Sequence, residues 1–131
     1  MQVTRNFLLV FLLTTVLTMT QCKKDEEKTP DELIIGVWQV VEVDGEVVPA
    51  DEIFTYEFEA DQGLEICYTD ETETYCYDGE WNWLGSDFDK INVEISDEDG
   101  YAYSINLEVE RLDESNLEMV YDGELAKFIR L

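Results

Sequence analysis

Histidine is absent from the 131 residues. That removes the commonest general base and the usual catalytic zinc ligand, and it deprives serine or cysteine nucleophiles of their customary partner. The three cysteines, Cys22, Cys67 and Cys76, form no Cys-x-x-Cys pair, so dithiol redox chemistry has no motif to stand on. Positive charge is scarce: 8 Lys and Arg face 32 Asp and Glu, for a net charge of −24. Nucleic acid is excluded as a partner, because phosphate binding needs clustered Lys and Arg. The longest apolar stretch, Phe7 to Met19, covers 13 residues, short of the roughly 20 that cross a bilayer as a helix. With 32 acids, some carboxylate pair will always stand at a hydrolytic separation. The chain is therefore expected to be no enzyme and to need no cofactor.

A metal site is not expected either. Asp97 and Asp99 before Gly100 form a fragment of a calcium loop, but the twelfth position counted from Asp97 is Glu108, which the alternation places mid-strand. A solvated hairpin turn accounts for it, as it does for "DETE" at 70–73.

What is present begins with a leader. Arg5 precedes the apolar stretch, the layout of a secretory signal peptide over residues 1–21. In "LTMTQCKKDEE" Cys22 stands where the apolar run gives way to charge, and this resembles a bacterial lipoprotein precursor. Met19 occupies the place where leucine is usual, and Gln21 that of a small residue. The resemblance implies that Cys22 becomes the first mature residue, carries the lipid and anchors the chain to a membrane; the alternative is a secreted protein with a spare thiol. Cleavage removes Arg5 alone among charged residues, taking −24 to −25. Residues 23–32, "KKDEEKTPDE", contain nothing apolar and are expected to be a flexible tether reaching about 15–20 Å. Its acids resemble the tethers of lipoproteins on the outer face of the outer membrane, which implies a surface-exposed place in the cell envelope.

From Leu33 onward the dominant period is two. "FTYEF" and "YAYSINLEVE" alternate apolar with polar residues, as do "INVEI" and "LEMVY", the mark of antiparallel strands with one wet face. Asp-Gly and similar turn signals recur between them. Strands are expected over 34–43, 53–60, 64–69, 74–78, 80–84, 88–95, 101–111 and 117–130. The last is expected to break at Asp122-Gly123, and 74–84 is read either as two strands or as one bent strand. No window reads as a helix; "PADEI" at 49–53 suits a single turn. Such a meander must close or stack to bury its apolar face. The expected fold is all-β: an antiparallel up-and-down eight-stranded barrel over 33–131, with a two-sheet β-sandwich as the alternative.

The opening "LIIGVWQVVEVDGEVV", with Gly36 two residues before Trp38, resembles the Gly-x-Trp start of lipocalins and of lipocalin-like domains on bacterial lipoproteins; "YDGEWNWLG" is similar to their middle. The resemblance implies that Trp38 plugs the closed end. It also implies a possible calyx, although an eight-stranded barrel can equally be filled by its own side chains.

If the hairpin 64–78 pairs residue 67 with 76, Ile66 faces Tyr77 and Tyr68 faces Tyr75, leaving both cysteines on the other face with Glu65 and Asp78. In an exported protein they are expected to form a disulfide. Trp81, Trp83, Tyr101 and Tyr103 share inward parity and serve either as core or as a ligand-binding face. The favoured function is binding of a small apolar or amphipathic ligand through those four residues. The alternative is a filled barrel acting through its acidic surface on basic protein partners or divalent cations; as the simplest reading, the evenly spread acids are a solubilising shell.

Overall fold

The computed structural model describes residues 26–131. The expected signal peptide and Cys22 lie outside the described residues. Among those described, no helix is long and apolar enough to cross a membrane.

The chain enters through a helix that the periodicity did not predict. In α1 (Pro30–Ile34) the Thr29 hydroxyl accepts from the Glu32 N–H at 3.4 Å, and the Glu32 carboxylate accepts from the Thr29 N–H at 3.0 Å. This reciprocal cap, with proline opening the helix, is written in Thr-Pro-Asp-Glu. The tether expected over 23–32 therefore ends in a capped turn, held because Ile34 behind it is wholly buried.

Nine strands follow: β1 (Gly36–Val43), β2 (Glu46–Val47), β3 (Ile53–Phe58), β4 (Gly63–Thr69), β5 (Thr74–Trp83), β6 (Lys90–Ser96), β7 (Ala102–Leu112), β8 (Asn116–Tyr121) and β9 (Glu124–Arg130). Beyond β2, each strand pairs antiparallel with the next, β1 pairs with β3, and β9 returns to β1. Eight strands thus close into a barrel, which decides against the sandwich. The short β2 is an extra rung on β1, where Glu42 meets Val47 and Val43 meets Glu46. At Asp122-Gly123 both residues have positive φ, 49° and 80°, the two-residue turn suited to a tight hairpin. Asp78-Gly79, which also reads as a turn, lies inside β5. There a Cβ on Gly79 would sit 2.2 Å from the Glu94 carbonyl oxygen, so this glycine permits close strand approach rather than reversal.

Alternation assigns one face of every strand to the interior, and two bulges correct the parity where it would fail. The β1–β9 register shifts between Val40 and Glu42, and the β7–β8 register between Val109 and Arg111. Each brings a later apolar residue, Val43 or Leu112, back against the core.

One end of the barrel is sealed. Trp38 is fully buried and its Nε1 donates to the Ile34 carbonyl at 2.8 Å. The Arg130 guanidinium lies 4.3 Å above the Trp38 ring. It donates from Nη1 to the Ile35 carbonyl at 2.7 Å, from Nη2 to the Leu33 carbonyl, and from Nε to the Glu114 carbonyl at 2.7 Å. Gly36 is required beside it: its φ is +134°, and a Cβ there would stand 2.6 Å from Arg130 Nη1. The β7–β8 turn is fixed by Asp113, whose Oδ1 accepts from the N–H groups of Ser115 at 2.9 Å and Asn116 at 2.8 Å. The Ser115 N–H first, then the Asn116 side-chain amide, hold this carboxyl down at about 2, from an ordinary 3.8.

Trp38→Ala is expected to cost about 3–5 kcal/mol, as for large core aromatics. Arg130→Lys, which keeps the charge but loses the fork, is expected to cost about 1–3 kcal/mol; urea midpoints measure both. Because the Asp113 pKa is depressed on folding, its contribution is present above about 3.8 and lost as pH falls through about 2. The stability gap between wild type and Asp113→Ala should therefore narrow on acidification over that window, whatever the total charge does to both proteins.

Candidate functional site

Four connections gather at the opposite end: residues 44–52 with the short β2 inside, 70–73, 97–101 and 122–123. Between β1, β3, β7, β8 and β9 this end opens into a cavity of about 230 Å³, walled by Val40, Phe54, Leu107, Met119, Ala126 and Phe128. Met119 and Phe128 belong to the buried core, so the cavity is the upper part of the barrel interior. Tyr121 and Glu124 stand at its lip.

Tyr56 also lines the cavity, its ring set edge-on to Phe128 at 5.1 Å. Burial alone raises the Tyr56 pKa, with no hydrogen-bond contribution from any described residue. It is a neutral phenol in an apolar wall, and such a group ordinarily finds a partner. The nearby Phe54 and Tyr68 rings stack at 4.5 Å. Burial, then the Glu52, Asp70 and Asp51 carboxylates, push the Tyr68 phenol upward.

The four aromatic residues singled out from the sequence are split between the two ends of the barrel. Trp81 is buried toward the sealed end, packed edge-on to Phe58 at 5.6 Å, with its Nε1 donating to the Glu59 carbonyl at 3.2 Å. Trp83 packs edge-on to Trp81 at 6.2 Å and to Phe88 at 5.3 Å; its buried Nε1 has no partner among the described residues. These two tryptophans border a shallow recess with Ile35 and Gln62 on the outside of that end. Tyr101 and Tyr103 are at the other end, 70% and 56% exposed, and the Tyr103 hydroxyl donates to Asp97 Oδ2 at 3.4 Å. None of the four lines the cavity.

Strand length explains this separation. β7 pairs with β8 only from Glu108 onward, and β5 pairs with β6 only from Gly79 onward. Above those points β7 has only β6 beside it and β5 has only β4, so the wall between β5 and β8 thins toward the mouth. Inward parity there leads to an open rim, where Tyr75 and Tyr77 are also exposed. Of the residues that line the cavity, Phe54 and Tyr56 belong to the alternating run "FTYEF" and Met119 to "LEMVY". Parity gave their face, but their height along the barrel depends on register and closure.

Cys67 and Cys76 are bonded, in the register the alternation required: Cys67 opposite Cys76, Ile66 opposite Tyr77, Tyr68 opposite Tyr75. Glu65, Cys67 and Cys76 are the one grouping with metal-ligand proximity among the described residues, and its two sulfurs are committed to the disulfide.

No family model matches the chain, and no curated protein matches it. Solved structures do. A lipocalin-like protein from Bacteroides uniformis superposes with a TM-score of 0.60 at 17% identity, over 75% of this chain and 98% of that one. An uncharacterized protein from Bacteroides eggerthii superposes with a TM-score of 0.59 at 16% identity, over 74% and 98%. The fold is that of a lipocalin-like barrel. At such identity the likeness extends to architecture alone.

The disulfide closes a short loop, with a sequence separation of 9. Loop-closure entropy assigns it about 2–3 kcal/mol. Replacing both cysteines by serine should lower the urea midpoint accordingly while leaving the far-ultraviolet β signature intact.

Proposed function

We propose that this barrel binds a small apolar or amphipathic ligand in its open mouth. The observation that carries the reading is the apolar cavity with the Tyr56 phenol in its wall. Its volume, about 230 Å³, falls just below the roughly 300–1,000 Å³ of sites for drug-sized ligands. A short chain or a single ring system suits it, with one polar group placed to meet Tyr56. The binding residues in this reading are Tyr56, Met119 and Phe128 rather than Trp81, Trp83, Tyr101 and Tyr103. The protein acts as a membrane-anchored lipoprotein of the outer membrane, held through Cys22 and exposed at the cell surface. Because α1 enters at the sealed end, a tether from Cys22 would turn the open mouth away from the bilayer.

A second reading rests on the rim. Tyr75, Tyr77, Tyr101 and Tyr103 are exposed there beside Asp97, Glu98 and Asp99, a surface that suits a basic protein partner. Association on that rim would weaken steeply with salt.

The cavity reading is tested with N-phenyl-1-naphthylamine, a neutral dye whose fluorescence rises in apolar sites. The wild type should enhance it and octanol should displace it. Ala126→Phe, which fills the mouth, should abolish enhancement without lowering the melting temperature, and Tyr56→Phe should weaken octanol by about 3–10-fold, the worth of one hydrogen bond. Enhancement that survives Ala126→Phe would move the site elsewhere.

A further inference from the structure

Resting on that reading of the cavity, we infer that its ligand is an organic cation: an apolar body in the barrel with an ammonium-type head at the mouth. Val43, Phe54 and Glu124 line both the apolar cavity and a second, more polar recess of about 390 Å³, so the two spaces adjoin at the mouth. The outer recess is bordered by Asp44, Glu46, Glu52 and Glu124, with no lysine or arginine in either lining. A ligand occupying the cavity therefore carries its head into a vestibule of carboxylates.

This is a directional property of the barrel, beyond a generally acidic surface. The connections at both ends carry only acidic charge; what distinguishes the open end is that no lysine or arginine borders its two recesses. The described cations lie elsewhere. Arg130 seals the opposite end, where Arg111 pairs with Asp113 at 2.9 Å and Lys28 with Glu114 at 3.3 Å. Lys90 begins β6 at that same end, its carbonyl accepting from the Leu84 N–H at 2.9 Å. Lys127 is on the barrel wall, held by Glu42 at 3.2 Å. An anionic head at the mouth would meet uncompensated like charge, whereas a cation is drawn in and held by carboxylates and aromatic faces together. Burial first, then Glu52, Asp70 and Asp51, push the Tyr68 phenol upward, and that ring packs on Phe54, which lines both spaces.

The experiment uses three probes that share one tail: octylammonium, octanol and octanoate, each titrated into the purified protein by calorimetry. The expected order is octylammonium at least tenfold tighter than octanol, with octanoate weakest. The preference should shrink at high salt and fall about tenfold toward unity in the double variant Glu52→Gln, Glu124→Gln. Ala126→Phe should abolish octylammonium binding; binding that persists there is adsorption to surface acids and overturns the inference. Octanol or octanoate equal to or tighter than octylammonium also overturns it, while leaving the cavity reading intact. If none of the three binds, the cavity reading fails and the inference falls with it.

Discussion

The Arg130 guanidinium is the piece on which the sealed end depends. It comes from the last turn-free residues of β9, yet its hydrogen bonds go to the carbonyls of Leu33, Ile35 and Glu114, and its face covers Trp38. One side chain therefore ties the C-terminal strand to the entering helix, the first strand and the β7–β8 turn. A guanidinium can do this because its donors are rigidly forked and its plane stacks on an indole; an ammonium has neither property. Gly36 is the complementary constraint, since any side chain there would enter the space that the guanidinium occupies.

Sealing that end also sets the polarity of the barrel. The described cations stand at that end or on the wall, whereas the Asp and Glu residues around the other end have no lysine or arginine bordering their recess. Asx-type turns favour aspartate, because its carboxylate accepts from N–H groups two and three residues on, as Asp70 does with Thr72 and Glu73. Turn chemistry and charge thus reinforce each other, and the mouth becomes an acidic collar around an apolar cavity.

Packing of aromatic rings divides the interior between the two ends. Phe58, Trp81, Trp83 and Phe88 form an edge-to-face chain toward the sealed end. Met119 and Ala126 occupy the upper wall, where the smaller or more flexible side chains leave volume unfilled. The barrel is thus partly filled and partly hollow, which lies between the two expectations for a cylinder of eight strands.

Much of this was legible in the residues taken one segment at a time. Alternation in "FTYEF", "INVEI" and "LEMVY" gave the strands and their buried faces, Asp122-Gly123 gave a hairpin, and parity around Cys67 and Cys76 gave the register that their bond confirms. Thr29-Pro30-Asp31-Glu32 carried a capping signal for α1 that hydrophobic period alone overlooked, because five residues are too few to display a helical repeat. Local chemistry of this kind depends on neighbours within a few positions, so it can be read segment by segment. Height along the barrel has no such neighbour. Whether an inward residue reaches the core, the cavity or the rim depends on strand tilt, on two bulges, and on how far each strand outlasts its partner. Closure of β9 onto β1 decided those quantities, and with them placed Trp81 in the floor, Tyr56 in the cavity and Tyr103 on the rim.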